Sequence, residues 1–179
     1  MPRLFVAIDI PDSIREELTG WRISVRGARW ARPNQMHLTL VFLGEQQPGV
    51  YRGICESLEK IEFTPFELQF HKVGYFGSKK SPRTLWADIR ESPELLTLQK
   101  RVSAQCRELG VEIEVRKFRP HLTLARLDSA SYRDVGRFLQ MFSLATSAAF
   151  TVDSFALFSS KLLPRGAVYR IEQEYPGDR

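Results

Sequence analysis

The sequence predicts an α+β fold made of two similar lobes that face each other across a cleft. Three observations carry that expectation. The tetrapeptide His-Leu-Thr-Leu occurs twice, opening at His37 and at His121. Each copy lies on a strand pattern that leads into a helix pattern and then two more strand patterns, as an internal repeat would. The chain has 179 residues, 43% of them hydrophobic and 26% charged. That length suits one domain, residues 1–179, of two interleaved lobes. The composition excludes a collagen-like, disordered or low-complexity chain.

The elements follow from local pattern. Leu4, Val6, Ile8 and Ile10 alternate along a first strand, Arg3 to Ile10, which Pro11 ends. Ser13 and Glu16 have the spacing of a capping box, and Ile14, Leu18 and Trp21 then share a helical face. A basic stretch with Arg26, Arg29 and Arg32 leads into a strand from Met36 to Leu43, stopped by Gly44. A helix from about Pro48 to Ile61 turns Val50, Ile54, Leu58 and Ile61 to the core. Strands Phe66 to Val73 and Thr84 to Ile89 flank a long basic loop, Gly74 to Arg83, placed to act as a lid or binding loop.

Ser92, Pro93 and Glu94 start a third helix with Leu95, Leu98, Val102 and Cys106 on its apolar face, and Gly110 ends it. Strands Val111 to Lys117 and Pro120 to Leu127 follow. Ser131 with Asp134 starts a fourth helix carrying Val135, Phe138 and Leu139, with Gly136 as a weak point. Strands Phe150 to Phe158 and Ala167 to Tyr175, joined through Pro164 to Gly166, complete the chain.

Charge and cysteines bound the function. Lys and Arg number 26 against 21 Asp and Glu, a net charge of +5, and the pI is near 9.4. Anionic partners are favoured. No stretch approaches a membrane helix, and the opening MPRLFVAIDI lacks the apolar region of a secretion signal. No membrane association is expected. Cys55 and Cys106 make no disulfide framework and fall on helices, so a reducing cytoplasm is expected.

Two of the three histidines open the repeated tetrapeptide. Chance recurrence has a probability on the order of 10⁻⁷. Side chains alternate along a strand, so His37 and Thr39 share one face while Leu38 and Leu40 enter the core; His121 and Thr123 stand likewise against Leu122 and Leu124. Two lobes paired about a pseudo-twofold axis would bring two imidazoles and two hydroxyls into one cleft. An imidazole ionises near neutrality, so one ring can accept a proton while the other donates one. Threonine hydroxyls can hold the nonbridging oxygens of a phosphate as negative charge builds up. The combination suits metal-independent opening of a cyclic phosphate by water, with either ring as acid or base.

These residues lead to a family. The chain resembles the 2H phosphoesterases, named for paired H-x-T-x motifs, and within them the RNA 2',3'-cyclic phosphodiesterases once called 2'-5' RNA ligases. The likeness runs through RLFVAIDIP, RWARPNQMHLTLVFLGE, SPRTLWADI, FRPHLTLAR and FTVDSFALFSSKLLPRGAVYRI. It implies a bilobal pseudo-twofold fold, with two antiparallel or mixed sheets lining the cleft and helices outside. It implies hydrolysis of a terminal RNA 2',3'-cyclic phosphate to a 2'-phosphate, with weak 2'-5' joining, tRNA halves among the RNAs, and no cofactor. By carry-over His37 protonates the departing 3' oxygen, His121 activates water, and Thr39 and Thr123 hold the phosphate. Two alternatives are a relative acting on another cyclic phosphate or a 2'-5' oligonucleotide, and a non-catalytic module that binds RNA ends. A monomer is expected, because the two lobes already supply both half-sites.

Further residues are candidates for substrate binding. Arg126 matches a family arginine, but simple alternation turns it away from His121. Phe42 could stack on a base, but its parity matches Leu38 and Leu40 and so favours the core. Phe5 suits either face. Lys79, Lys80 and Arg83 on the long loop, and Arg29, Arg32, Arg119 and Arg165 near the motifs, could meet RNA phosphates. His71 reads as structural, as do Trp30 and Trp86. No metal site is expected, since nothing has close ligand spacing.

Overall fold

In the computed structural model, which describes residues 3–164 and 166–178, the strands form two four-stranded antiparallel sheets and one small ribbon. The strands are β1 (Arg3–Asp9), β2 (Ala28–Trp30), β3 (His37–Glu45), β4 (Phe66–Leu68), β5 (Phe70–Gly77), β6 (Pro82–Ile89), β7 (His121–Leu127), β8 (Phe150–Val152), β9 (Ser154–Leu163) and β10 (Gly166–Pro176). The helices are α1 (Asp12–Thr19), α2 (Pro48–Leu58), α3 (Pro93–Glu108) and α4 (Tyr132–Met141), with a short 3₁₀ turn at Pro33–Gln35.

One sheet runs β10-β9-β1-β3 and the other β2-β7-β6-β5. The halves match as β3·β1·β9 against β7·β6·β5. Each sheet therefore takes its third strand from the other half of the chain: β9 crosses back to β1, and β5 crosses forward to β6. The strands β4 and β8 pair with each other on the dividing line, so that Glu67 opposes Thr151, the central residue of the matching strand. This is the α+β pseudo-twofold arrangement expected from the repeated motif.

The helices cover the outer faces. Leu95, Leu98, Val102 and Cys106 of α3, Ile54 and Leu58 of α2, and Val135 and Phe138 of α4 are buried in one core with Leu4, Val6 and Ile8 of β1 and Leu85, Ala87 and Ile89 of β6. A second, smaller apolar cluster lies on the opposite side of the first sheet. It consists of Phe5, Ala7, Ala156 and Phe158, with Tyr169 against it. β1 is thus covered on both faces, which assigns Phe5 to the inner, cleft-side face.

Several sequence expectations are corrected. The capping box at Ser13 is not formed; α1 starts two residues earlier, with Pro11 in the cap position and no side-chain cap. Its first turn is held by Arg15 Nη1 donating to Asp12 at 2.9 Å. The helix expected to reach Ile61 ends at Leu58. The strand expected from Phe66 to Val73 is split by Gln69, and that from Phe150 to Phe158 by Asp153. Val111–Lys117 is not a strand. The edge of β7 that it would need is occupied by β2, which lies in the basic stretch and was not anticipated, and Val115 is 92% exposed.

The long loop Gly74 to Arg83 is also corrected. β5 continues to Gly77 and β6 starts at Pro82. Ser78 and Ser81 exchange backbone hydrogen bonds of 3.2 and 3.1 Å around Lys79 and Lys80. Gly77, at φ +107°, enters this tight hairpin turn in a conformation that suits glycine. A hairpin closed this way is a fixed element, not a lid.

Both later helix starts are as expected. Ser92 Oγ accepts from Leu95 N at 3.2 Å, and Ser131 Oγ accepts from Asp134 N at 3.2 Å. Replacing Ser92 by Ala is expected to cost about 1 kcal/mol in urea unfolding, the ordinary loss for an N-cap hydroxyl. No measurable change would mean that the cap contributes nothing to α3.

Candidate active site

The two His-Leu-Thr-Leu segments open β3 and β7. In each, His and Thr are half-buried and the two Leu are buried, as alternation requires. Alternation then breaks at the same place in both strands. Thr39 pairs with Ala7 and Val41 with Val6, so Leu40 is the extra residue of a bulge. Thr123 pairs with Trp86 and Ala125 with Leu85, so Leu124 is the extra residue of its twin. Two consecutive side chains, Leu40-Val41 and Leu124-Ala125, are buried. The carbonyl of Leu124 accepts from Ala31 N at 2.8 Å, and that of Leu40 lies 3.5 Å from the Gln99 amide.

The bulges overturn two expectations from parity. Phe42 is not in the core: it is 66% exposed and pairs with Phe5 on the inner face, ring centroids 6.1 Å apart. Arg126 does not turn away from His121 but returns to the face of His121 and Thr123. Phe42 and Arg126 are equivalent residues, each the second after the bulge.

The second sheet presents its inner face as three cross-strand rows. His121 opposes Asp88, which opposes His71. Thr123 opposes Trp86, which opposes Gly74. Arg29 opposes Arg126, which opposes Thr84 and then Phe76. Gly74 is required by the second row, since a Cβ there would lie 2.2 Å from the Trp86 ring. Trp86 and Phe76 pack together at 5.2 Å and both contact the His121 ring, at 6.3 and 4.8 Å. Trp86 is therefore a wall of the site as well as a structural residue. His71 Nε2 lies 3.9 Å from Asp88.

In the first sheet His37 opposes Asp9. Its ring packs on Phe5 at 4.8 Å, Phe158 at 5.9 Å and the edge of Tyr169 at 4.8 Å. Asp9 is bound by Arg15. The two half-sites meet across the cleft. Cα atoms of β3 and β7 approach within 8 Å, and the Arg126 guanidinium on β7 acts electrostatically on His37 on β3.

Each imidazole is held by a carbonyl two residues upstream. His121 Nδ1 donates to Arg119 O at 2.7 Å, and His37 hydrogen-bonds the Gln35 backbone. On His121 this leaves Nε2 as the nitrogen able to exchange a proton. Burial among the aromatic rings disfavours a charged imidazole and lowers His37 to about 4, with Arg15 and Arg126 adding to the effect. His121 is also lowered, first by burial and then by Arg119, but Asp88 opposes the shift.

The other candidate residues separate. Lys80, Arg83, Arg29 and Arg126 line one cavity of about 620 Å³ at the Arg126 end of the second sheet. Lys79 instead lies over the Tyr132 ring, 5.5 Å from its centroid. Trp30 is packed on Phe138 at 5.8 Å. The Arg32 backbone N–H donates to Gln35 in the turn before β3, and Arg119 supplies its carbonyl to His121. Arg165 lies outside the described residues. No group of three or more His, Cys, Asp or Glu suited to a metal ion occurs among the described residues. Among these residues, too, no helix is long and apolar enough to cross a membrane.

A family model described as LigT like Phosphoesterase matches residues 8–86 and 88–169. The chain belongs to this family. Each matched stretch holds one His-Leu-Thr-Leu segment, and they meet within β6, where one half passes to the other. Among LigT-like relatives, an RNA 2',3'-cyclic phosphodiesterase of Archaeoglobus fulgidus is 34% identical over 175 residues, 94% of this chain and 96% of that one. Another, of Thermus thermophilus, is 32% identical over 185 residues, 97% of this chain and 89% of that one. The crystal structure of E. coli LigT with 3'-AMP superposes with a TM-score of 0.82 at 25% identity, covering 99% of both chains.

Sequence reasoning missed Asp9, Asp88, Phe76, Phe158, Tyr169 and Arg15 as parts of the site. One signal was available for the acids: Asp9-Ile10 and Asp88-Ile89 each close the strand that precedes a helix in its half. Phe158 and Phe76 are also equivalent, through Phe5 to Phe42 and through Thr84 to Arg126, and the similar runs FSSK from Phe158 and FGSK from Phe76 carried that signal. Tyr169 lies on β10, which has no equivalent in the second sheet.

NMR titration of the imidazoles is expected to put the His37 midpoint at about pH 4 and His121 below 6.5. Replacing Arg15 by Gln should move His37 upward. A lowered folded value means that the unfolded chain takes up the proton first, so His37 should make stability fall as pH drops from about 6.5 towards 4. A His37 midpoint at or above 6.5 would contradict the effect of burial.

Proposed function

We propose that this protein hydrolyses the 2',3'-cyclic phosphate at an RNA end to a 2'-phosphate, using His37 and His121 as its acid–base pair. The carrying observation is the duplicated half-site: an imidazole anchored on a backbone carbonyl, a threonine two residues on, and a bulge that returns the next cleft-facing residue. The relatives named as RNA 2',3'-cyclic phosphodiesterases support the substrate. The water oxygen bonds to phosphorus and its proton passes to one imidazole. The bond from phosphorus to the 3' oxygen breaks, and the other imidazole protonates that oxygen. Thr39 and Thr123 hydrogen-bond the nonbridging oxygens as charge accumulates. Arg126 supplies positive charge, and Phe42 offers an exposed ring for a base. No metal is needed in this scheme. A 5'-hydroxyl in place of water would give 2'-5' joining by the same bond changes.

The surrounding charges favour His121 as the proton carrier. Arg119 opposes the His121 imidazolium and Asp88 supports it, whereas the charges acting on His37, Arg15 and Arg126, both oppose its imidazolium. This favours His121 as acid and His37 as base, the reverse of the assignment that the family resemblance implies.

Three measurements test the scheme. With EDTA present, an RNA ending in a 2',3'-cyclic phosphate should yield a 2'-phosphate, and His37→Ala and His121→Ala should each lower kcat by about 10²–10⁴-fold. Full turnover in both variants would end the proposal. The kcat/KM profile should be bell-shaped with its maximum on the acid side of 6.5, because both rings titrate below that value; Asp88→Asn should move the basic limb to still lower pH. A substrate with sulfur in place of the 3' oxygen needs no acid, so it should restore turnover to His121→Ala and not to His37→Ala. The opposite rescue would reverse the two roles.

A further inference from the structure

We propose that the cavity of about 620 Å³ beside Arg126 is a second anion subsite, which takes the phosphate one nucleotide away from the reacting one. The proposal rests on the reading of the cleft as a cyclic phosphodiesterase and identifies its substrate as one that carries two phosphates.

Four cations, Arg29, Lys80, Arg83 and Arg126, line this cavity. Arg29 and Arg126 stand directly opposite each other in the ladder between β2 and β7. Like charges in that relation repel and destabilise a sheet. Among the described residues none of the four makes an ion pair. The one carboxylate in the lining, Asp128, accepts from Ser129 Oγ at 3.3 Å. A bridging anion would relieve the repulsion and would fit the fork geometry of two guanidinium groups.

The position selects the anion. Thr123 and Arg126 are separated by three steps of one strand, roughly 10 Å before the bulge shortens it. Arg126 takes part at both ends, since it lines the cavity and also acts on His37. Thr84, the cross-strand partner of Arg126, adds a hydroxyl to the lining. The hairpin turn at Ser78–Ser81 holds Lys80 at the rim, while Lys79 is engaged by Tyr132. The matching place in the first half carries Phe42, so the subsite exists on one side only and gives the cleft a direction.

The test compares three substrates: a 2',3'-cyclic mononucleotide with a 5'-hydroxyl, the same nucleotide with a 5'-phosphate, and a dinucleotide ending in the cyclic phosphate. In the unmodified protein the dinucleotide should have a kcat/KM roughly tenfold or more above the 5'-hydroxyl mononucleotide, as a charge-assisted contact gives. The dinucleotide should also show a steeper salt dependence, by about 0.7 in the log–log slope. Arg29→Gln and Arg83→Gln should reduce that preference towards unity. If the 5'-phosphate alone brings the same gain, the subsite reads any second phosphate; if only the dinucleotide gains, it reads the internal phosphodiester. Equal kcat/KM for the dinucleotide and the 5'-hydroxyl nucleotide would overturn the proposal. So would a preference that Arg29→Gln and Arg83→Gln leave intact, since the extra nucleoside would then be the group recognised. Failure to open any of the three would instead count against the catalytic reading.

Discussion

The site depends on a one-residue irregularity made twice. A strand that alternated without interruption would bury Phe42 and Arg126 behind the sheet, next to the leucines of the motif. Leu40 and Leu124 each add a residue to one side of the ladder, and the residues that follow, as far as Phe42 and Arg126, change face. The irregularity is stable because both side chains at the bulge are apolar and enter the core, and because other parts of the chain reach the displaced carbonyls. Packing on the outer face thus decides what is displayed on the inner one.

The same doubling sets up an electrostatic contrast. Both imidazoles are surrounded by apolar rings and lose solvation, so both resist ionisation. Their flanking acids begin alike, as Asp9 opposite His37 and Asp88 opposite His121. Arg15 then engages Asp9 and brings a positive charge to the His37 side. Asp88 accepts from the Ile89 backbone N–H at 2.9 Å and has no arginine on it, only the His71 ring at 3.9 Å, and it acts on His121. Two half-sites with the same backbone thus differ electrostatically: burial, Arg15 and Arg126 all disfavour a charged His37, whereas Asp88 partly offsets the burial of His121.

Much of this was legible in the sequence. The pairing of His with Thr needs only the period of a strand, and the repeat needs only recognition of the same four residues twice. The helix starts at Ser92 and Ser131 have local chemistry and were read correctly. What failed was non-local. Val111–Lys117 has strand-like residues, but β2 already occupies the edge it would need. The face of Phe42 and Arg126 depends on a ladder shift that composition does not encode. Gly74 suggested a flexible loop, yet it is small because the Trp86 ring lies over it. The walls of His37 come from β1, β9 and β10, distant in sequence and joined only by the sheet.

The crossed strands bear on how the molecule is made. The sheet that carries His37 is closed by β9 against β1, with Phe158 opposite Phe5. A nascent chain holding β1, β3 and both intervening helical segments still lacks the partner that covers the inner side of Phe5 and Ala7. During synthesis that apolar strip stays open to water, or to a chaperone, until Leu163 has left the ribosome. Neither half is therefore a folding unit by itself, and a break in the connection between β5 and β6 would leave two fragments that must find each other before either sheet is complete.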